Sequence, residues 1–222
     1  MLISKYGNGS TKLVEEFENE NDIEFDEQYR LFLVNYNGGD TPKTTVRIKG
    51  ISSDLRCLFG MNAKNDIENY MQLSELKNKH CIPIGEDSYG NYYVIGIADD
   101  NKGVVYFSDH EKGFELIGIA ASFSEFMAIC KSDPIYPRSQ RSPEEREAEL
   151  IANGKADNIT EGIREIWKQE YEKYKNIVQE IVIINESTGV NDNDRIYSWI
   201  LLVANRYGRF SSFIFLDGCT SA

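Results

Sequence analysis

Between residues 10 and 40 the apolar positions fall at helical spacing and then stop abruptly. Leu13, Val14 and Phe17 lie on one side and Glu15, Glu16, Glu18 and Glu20 on the other, so the pattern predicts an amphipathic helix capped by Ser10. Asp26 stands as N-cap before "EQYRLFLVNY", where Tyr29, Phe32, Leu33 and Tyr36 fill the i, i+3, i+4, i+7 stripe of a second helix. Asn37-Gly38-Gly39 ends it, because glycine enters the left-handed C-cap conformation without a Cβ clash.

After that stop the period changes from helical to alternating. "TTVRIKGI" reads as one half-buried strand, with Val46 and Ile48 opposite Arg47 and Lys49. "NDIENYMQLSEL" reads as a short helix from Asp66 to Leu76. The strands "CIPIG", "NYYVIGIA" and "GVVYFSD" follow, separated by the turn-rich breaks "EDSYG" and "DDNKG", and "FELIGIA" comes after the turn at His110 to Gly113. "SFSEFMAICK" then closes the unit as a helix. Its Ser122 and Glu125 stand at capping-box spacing, and Phe123, Phe126, Met127 and Cys130 form its apolar side. This order predicts an α+β fold, a mainly antiparallel sheet flanked by helices.

Pro134 and Pro137 mark a boundary, giving a domain over 1–137 and a mostly helical extension over 138–222. Ser142, Pro143 and Gly154 delimit one helix of that extension. A longer one runs from Thr160 to about Val178 with a seam of Ile163, Trp167, Tyr171, Tyr174 and Val178. "EIVIIN" reads either as a strand or as the end of that helix. Beyond it stand an apolar segment over 196–204, which includes Trp199, and a strand-length stretch over 213–216. The extension could pack on the domain, join copies of the chain through Trp167 and Tyr174, or widen a partner surface, and the sequence leaves these open, as it does the oligomeric state.

Composition narrows the function. At 41% hydrophobic and 12% aromatic, the 222-residue chain is rich enough to fold around a core. The start "MLISKYGNGS" has no secretory pattern, and no apolar run reaches the roughly 18 residues that span a bilayer, so a cytoplasmic protein without a membrane anchor is expected. Cys57, Cys81, Cys130 and Cys219 form no C-x-x-C pair, and His80 and His110 stand alone, so neither a metal site nor a cofactor is expected. The net charge of −12 disfavours nucleic acid and favours a basic partner. Residues 1–137 carry 13 Lys and Arg against 22 Asp and Glu, which places most of the negative field on the first part.

Catalytic patterns fail on their context. "YGNGSTK" lacks the G-x-x-x-x-G-K-[ST] spacing of a phosphate loop. "SDHE" puts Ser108, Asp109 and His110 in succession, where neighbouring strand positions point to opposite faces, so His110 reads as a turn residue. Asp99-Asp100-Asn101-Lys102-Gly103 reads as a hairpin turn, not a cation loop. No nucleophile, base and orienting group can be named together, so no catalytic residue is assigned and the chain is not expected to be an enzyme. The run from Glu15 to Glu27 is different: it holds eight acids and no Lys or Arg. It reads either as a solvated helix face with its loop or as an electrostatic dock for a basic partner.

The order of signals resembles the SUKH superfamily, which takes in yeast cell-wall-synthesis regulators and many bacterial immunity proteins. The resemblance spans about residues 10–131. Tyr29, Phe32, Leu33, Asn37, Gly38 and Gly39 carry its first part, Ile84, Gly85, Gly90 and Asn91 its turn, and Val105, Tyr106, Phe107, Ser122, Phe123 and Phe126 the rest. Phe25-Asp26 stands where Leu-Pro is common in the family. The resemblance implies a SUKH-like sheet used as a binding platform, without catalytic apparatus. For a bacterial member it implies an immunity protein, or antitoxin, that binds a polymorphic or contact-dependent toxin, a nuclease among the candidates, and neutralises it by occlusion. The alternative is a regulatory or scaffold protein of the yeast type. Because surfaces vary across the family, candidate partner-binding residues come from charge and expected exposure: Glu15, Glu16, Glu18, Glu20, Asp22, Glu24, Glu86, Asp87 and Tyr89.

Overall fold

In the computed structural model, which describes residues 1–48 and 50–184, strand β1 (Leu2–Lys5) leads into helix α1 (Thr11–Asn21). Leu13 N donates to Ser10 Oγ at 3.1 Å, the expected cap. Helix α2 (Glu27–Tyr36) starts where Gln28 N and Tyr29 N donate to the Asp26 carboxylate. Its left-handed C-cap is Asn37 itself, with φ 47°, followed by Gly38 at φ 76°. The Asn37 side chain then pairs with Met61 in both directions, Nδ2 donating to Met61 O and Oδ1 accepting from Met61 N, each at 2.9 Å. A Cβ at Gly60 would sit 2.0 Å from Asn37 O, and one at Gly38 would sit 2.6 Å from Gly60 N. The Asn-Gly-Gly stop is therefore a seam where two backbones touch, which asks more of it than ending a helix.

The remaining strands are β2 (Gly39–Asp40), β3 (Thr44–Ile48), β4 (Ile51–Asp54), β5 (Cys57–Leu58), β6 (Cys81–Glu86), β7 (Tyr92–Gly96), β8 (Val105–Asp109), β9 (Glu115–Ala120), β10 (Cys130–Ser132) and β11 (Glu180–Ile181). The remaining helices are α3 (Ser74–Lys77), α4 (Phe123–Ile129), α5 (Pro143–Ala152) and α6 (Glu161–Tyr174). An eight-stranded sheet runs β11-β1-β2-β5-β6-β7-β8-β9 and a smaller one runs β10-β3-β4. Every ladder between these strands is antiparallel, and the fold is α+β.

Register sorts the large sheet into two faces. Gly39, Leu58, Gly85, Tyr93, Phe107 and Ile117 are paired across it in one row. On that side Tyr93 meets Phe126 of α4 at 5.3 Å between ring centres, and Phe123 meets both Tyr29 at 5.1 Å and Phe32 at 5.2 Å. These rings are fully buried and form the core between sheet and helices. The alternate row holds Asp40, Cys57, Glu86, Tyr92, Ser108 and Leu116. Over it lies the 61–80 excursion, whose Tyr70 stacks on Phe59 at 3.9 Å.

Several expectations need correction. "TTVRIKGI" is a hairpin, not one strand: β3 and β4 pair Ile48 with Ile51, and Gly50 in the turn takes φ 83°. The stretch 66–76 is a turn of 3-10 helix at Ile67–Asn69 followed by the four-residue α3, with extended backbone at Leu73 between them. Only Ile67 and Leu76 of that stretch are buried, too few anchors for one continuous helix. α4 stops at Ile129, and Cys130 begins β10 against β3. Glu125 N donates to Ser122 Oγ at 3.1 Å as expected, but the Glu125 carboxylate reaches one residue further back, to Ala121 N at 2.7 Å.

The segment after Pro137 is joined to the rest over 138–184, and Met1–Ile184 forms one compact unit. Ser142 and Glu145 make a complete capping box at the start of α5. Buried Arg146 lies 5.9 Å from the centre of the Trp167 ring and donates to Glu170 at 2.8 Å, fastening α5 to α6. α6 ends at Tyr174, and Val178, expected in its seam, is 79% exposed. Within "EIVIIN", Glu180–Ile181 forms strand β11 on β1, and just beyond it Ile183 N donates to the Tyr36 hydroxyl at 2.9 Å. The expectations for 196–204, with Trp199, and for 213–216 and Cys219 lie outside the described residues.

Candidate protein interface

The acidic run gets its shape from one of its own members. Glu18, expected on the outer face of α1, is buried. Its Oε1 accepts from Phe25 N at 2.8 Å and its Oε2 lies 3.4 Å from the Arg30 guanidinium. Asp22, in the left-handed region at φ 53°, turns the chain, and Ile23 N donates to Glu18 O at 3.0 Å. The loop over 22–26 is thereby folded back on α1, leaving Glu15, Glu16, Glu20, Asp22 and Glu24 exposed.

Two adjoining grooves border this loop and share Glu24. One, of about 410 Å³, lies between Glu18, Asp22 and Glu24 on one side and His80, Ile97 and Ala98 on the other. The other, of about 580 Å³, is lined by Glu24, Asp26, Glu27 and Arg30 together with Leu31 and Lys102. The opposing walls come from residues distant in sequence, with His80 preceding β6 and Ile97 to Lys102 forming the β7–β8 turn. Lys102 reaches Glu24 at 2.9 Å and holds that carboxyl below the usual carboxylate range through its hydrogen bond and charge. Lys12 pairs with Glu16 at 3.3 Å, and Arg30 reaches Glu15 at 3.8 Å as well as Glu18. Glu20, Asp22 and Glu27 have no ion-pair partner among the described residues. The face stays strongly negative.

Glu86, Asp87 and Tyr89 are not part of it. Glu86 ends β6 and Asp87 and Tyr89 belong to the β6–β7 turn, at the opposite end of β7 from the grooves, on the order of 17 Å away at strand rise. Glu86 is buried and pairs with Arg56, while Tyr70 Oη donates to it at 3.4 Å and Cys57 Sγ at 3.6 Å. Asp87 is buried as the acceptor that organises its own turn. Tyr89 is exposed, Tyr92 is half-buried and Tyr93 is fully buried. Glu18, Glu86 and Asp87 thus serve the fold from inside, and the surface candidates reduce to five acids at one end and one tyrosine at the other. Asp26, Glu27, Arg30, His80 and Lys102 complete the grooves. Sequence spacing gives no sign of His80 and Lys102, since only the tertiary fold brings them there.

Two residues of "SDHE" are held by local partners. Asp109 pairs with Lys112 at 2.8 Å, and His110 Nδ1 lies 2.9 Å from Asn91 Oδ1 in a turn, as expected for that residue. Among the described residues no group of three His, Cys, Asp or Glu is placed to hold a metal ion, and no helix is long and apolar enough to cross a membrane. The buried thiols are pushed up, Cys57 and Cys81 to about 11 and Cys130 to about 12, in each case chiefly by burial.

A mostly antiparallel sheet covered by helices makes the chain an α+β protein, an architecture consistent with the SUKH fold. The chain belongs to the SMI1 / KNR4 family (SUKH-1), whose model matches residues 9–129, from the cap of α1 to the end of α4. That family includes toxin immunity proteins and cell-wall regulators. No curated protein matches the chain.

Proposed function

We propose that this chain is a cytoplasmic immunity protein of a bacterium, an antitoxin that binds a cognate polymorphic or contact-dependent toxin and neutralises it by covering its working surface, without catalysis of its own. The partner is a basic toxin domain of the nuclease class. Nucleases need cationic clefts to hold phosphates, and a cleft of that kind is the natural complement of a negative surface. The observation that carries this reading is the acidic face of α1 and its loop, where Glu15, Glu16, Glu20, Asp22, Glu24 and Glu27 are exposed and, among the described residues, only Lys12, Arg30 and Lys102 pair with the run. Membership of the SMI1 / KNR4 family supports it.

The test is co-expression with the toxin domain encoded beside this chain. Rescue of growth together with co-purification of the pair is the expected result. Continued toxicity with no complex would contradict the proposal and favour a regulatory scaffold.

A further inference from the structure

The turn between β6 and β7 is held more firmly than the joining of two strands requires. The Asp87 carboxylate, 2% exposed, accepts from Tyr89 N, Asn91 N and Asn91 Nδ2, all at 2.8 Å, and from Ser53 Oγ at 2.6 Å. Asp87 N donates to Asn91 O at 3.0 Å, and Ser88 N donates to the Asp54 carboxylate at 2.9 Å. The N–H groups of Asp87, Ser88, Tyr89 and Asn91 are all committed in this way. Asn91 Oδ1 also accepts from His110 N at 3.2 Å, which ties the turn to the end of β8.

What this framework holds outward is the Tyr89 side chain, with the residue 73% exposed and neither the hydroxyl nor the ring in a hydrogen bond or ring contact among the described residues. A large aromatic ring on a preformed turn loses little conformational freedom on docking, which is the property of interface anchors. The tip is convex, whereas small-molecule sites are concave, so its complement is a pocket on another protein. Asp54 holds the neighbouring Ser88, and the stretch at the end of β8 that is tied to the turn through His110 carries Asp109 and Glu111, with Lys112 paired to Asp109. The rim is negative, the same sign as the acidic face.

We infer that Tyr89 is an anchor of the partner interface, seating its ring in an apolar pocket with a basic rim on the toxin domain. This rests on the immunity reading and adds to it a contact separate from the acidic grooves. Affinity and dissociation rate for the toxin domain are measured with the purified full chain, its Tyr89→Ala and Tyr89→Phe variants, and a Glu20→Lys/Asp22→Lys double variant. Tyr89→Ala weakens binding by about thirty-fold or more, mainly through faster dissociation, at an unchanged melting temperature. Tyr89→Phe stays within about five-fold of the parent, and the charge reversal acts on association instead. Parental affinity in Tyr89→Ala would overturn the anchor while leaving neutralisation intact. A parent chain that does not bind the toxin would overturn the immunity reading and the anchor together.

Discussion

Tyr29 and Tyr93 are both fully buried phenols, yet their hydroxyls fare differently. Tyr93 Oη donates to Asp54 O at 2.9 Å, whereas Tyr29 Oη has no hydrogen-bond partner among the described residues. An unmet buried hydroxyl costs about 1 kcal/mol or more. Tyr29→Phe is therefore expected to stabilise the fold by about 1 kcal/mol and Tyr93→Phe to destabilise it by a similar amount, as read from urea unfolding. Opposite signs support this assignment, and a loss at both positions would refute it. The buried thiols give a second prediction, on pH. Cys57, Cys81 and Cys130 stay protonated in the folded chain to about 11, 11 and 12, while unfolded thiols ionise near about 8.5. Above that value the unfolded state binds fewer protons, so stability is full below about pH 8.5 and falls as pH rises toward 11. Each thiol contributes a slope of up to about 1.4 kcal/mol per pH unit. Unfolding free energies measured at pH 7.5 and pH 10 should differ in that sense, and equal values would contradict it. At this scale the sequence is legible where a residue's role is local. Ser10, Asp26, Ser122, Ser142 and Thr160 all cap the helices they precede. It is opaque where an acid can face either way: nothing local separates Glu18, turned in to Phe25 N, from Glu16, left out in water.

The junction of α2 with the sheet is decided by backbone contact. Because a Cβ at Gly60 would fall 2.0 Å from Asn37 O, Gly60→Ala should cost about 3 kcal/mol or more by prising the α2 end off the Phe59–Met61 segment. Asn37→Ala should cost about 2 kcal/mol through the lost pair of bonds to Met61 and the left-handed backbone. A loss under about 1 kcal/mol at Gly60 would show that the seam can open without harm. The Asn-Gly-Gly signal announced that something ends at residue 37. It did not announce Gly60, whose role exists only once the two segments meet. Long periodic elements, α2 and β6 through β9, were readable because their apolar spacing persists for several residues. Short ones were not. β2, β5 and β11 have two residues each and β10 three, too few to show any period, and the β3–β4 hairpin hid in an alternation that Gly50 does not interrupt.

At the scale of the whole molecule, the family match ends with α4, while the sheet is completed by β1 and β11 from outside the matched residues. β11 covers the outer edge of β1, and Val182 adds to the main core. A chain ending at 137 should therefore melt at least about 4 °C below one ending at 184; equal melting temperatures would mark 1–137 as an independent domain. The net charge of −12 was legible from composition, and its concentration on one helix and loop from the spacing of acids. The grooves were not, because their second wall, His80 and Ile97 to Lys102, arrives through the fold. If the acidic face steers a basic toxin, reversing Glu20, Asp22 and Glu24 to Lys should slow association by about ten-fold or more at low salt and flatten its salt dependence. The most direct measurement is the association of the purified chain with the toxin domain encoded beside it, followed from low to high ionic strength. A one-to-one complex that abolishes toxin activity, with an association rate that falls steeply as salt rises, is the predicted result. A toxin that remains active and unbound in the presence of excess chain would contradict the proposal at its centre.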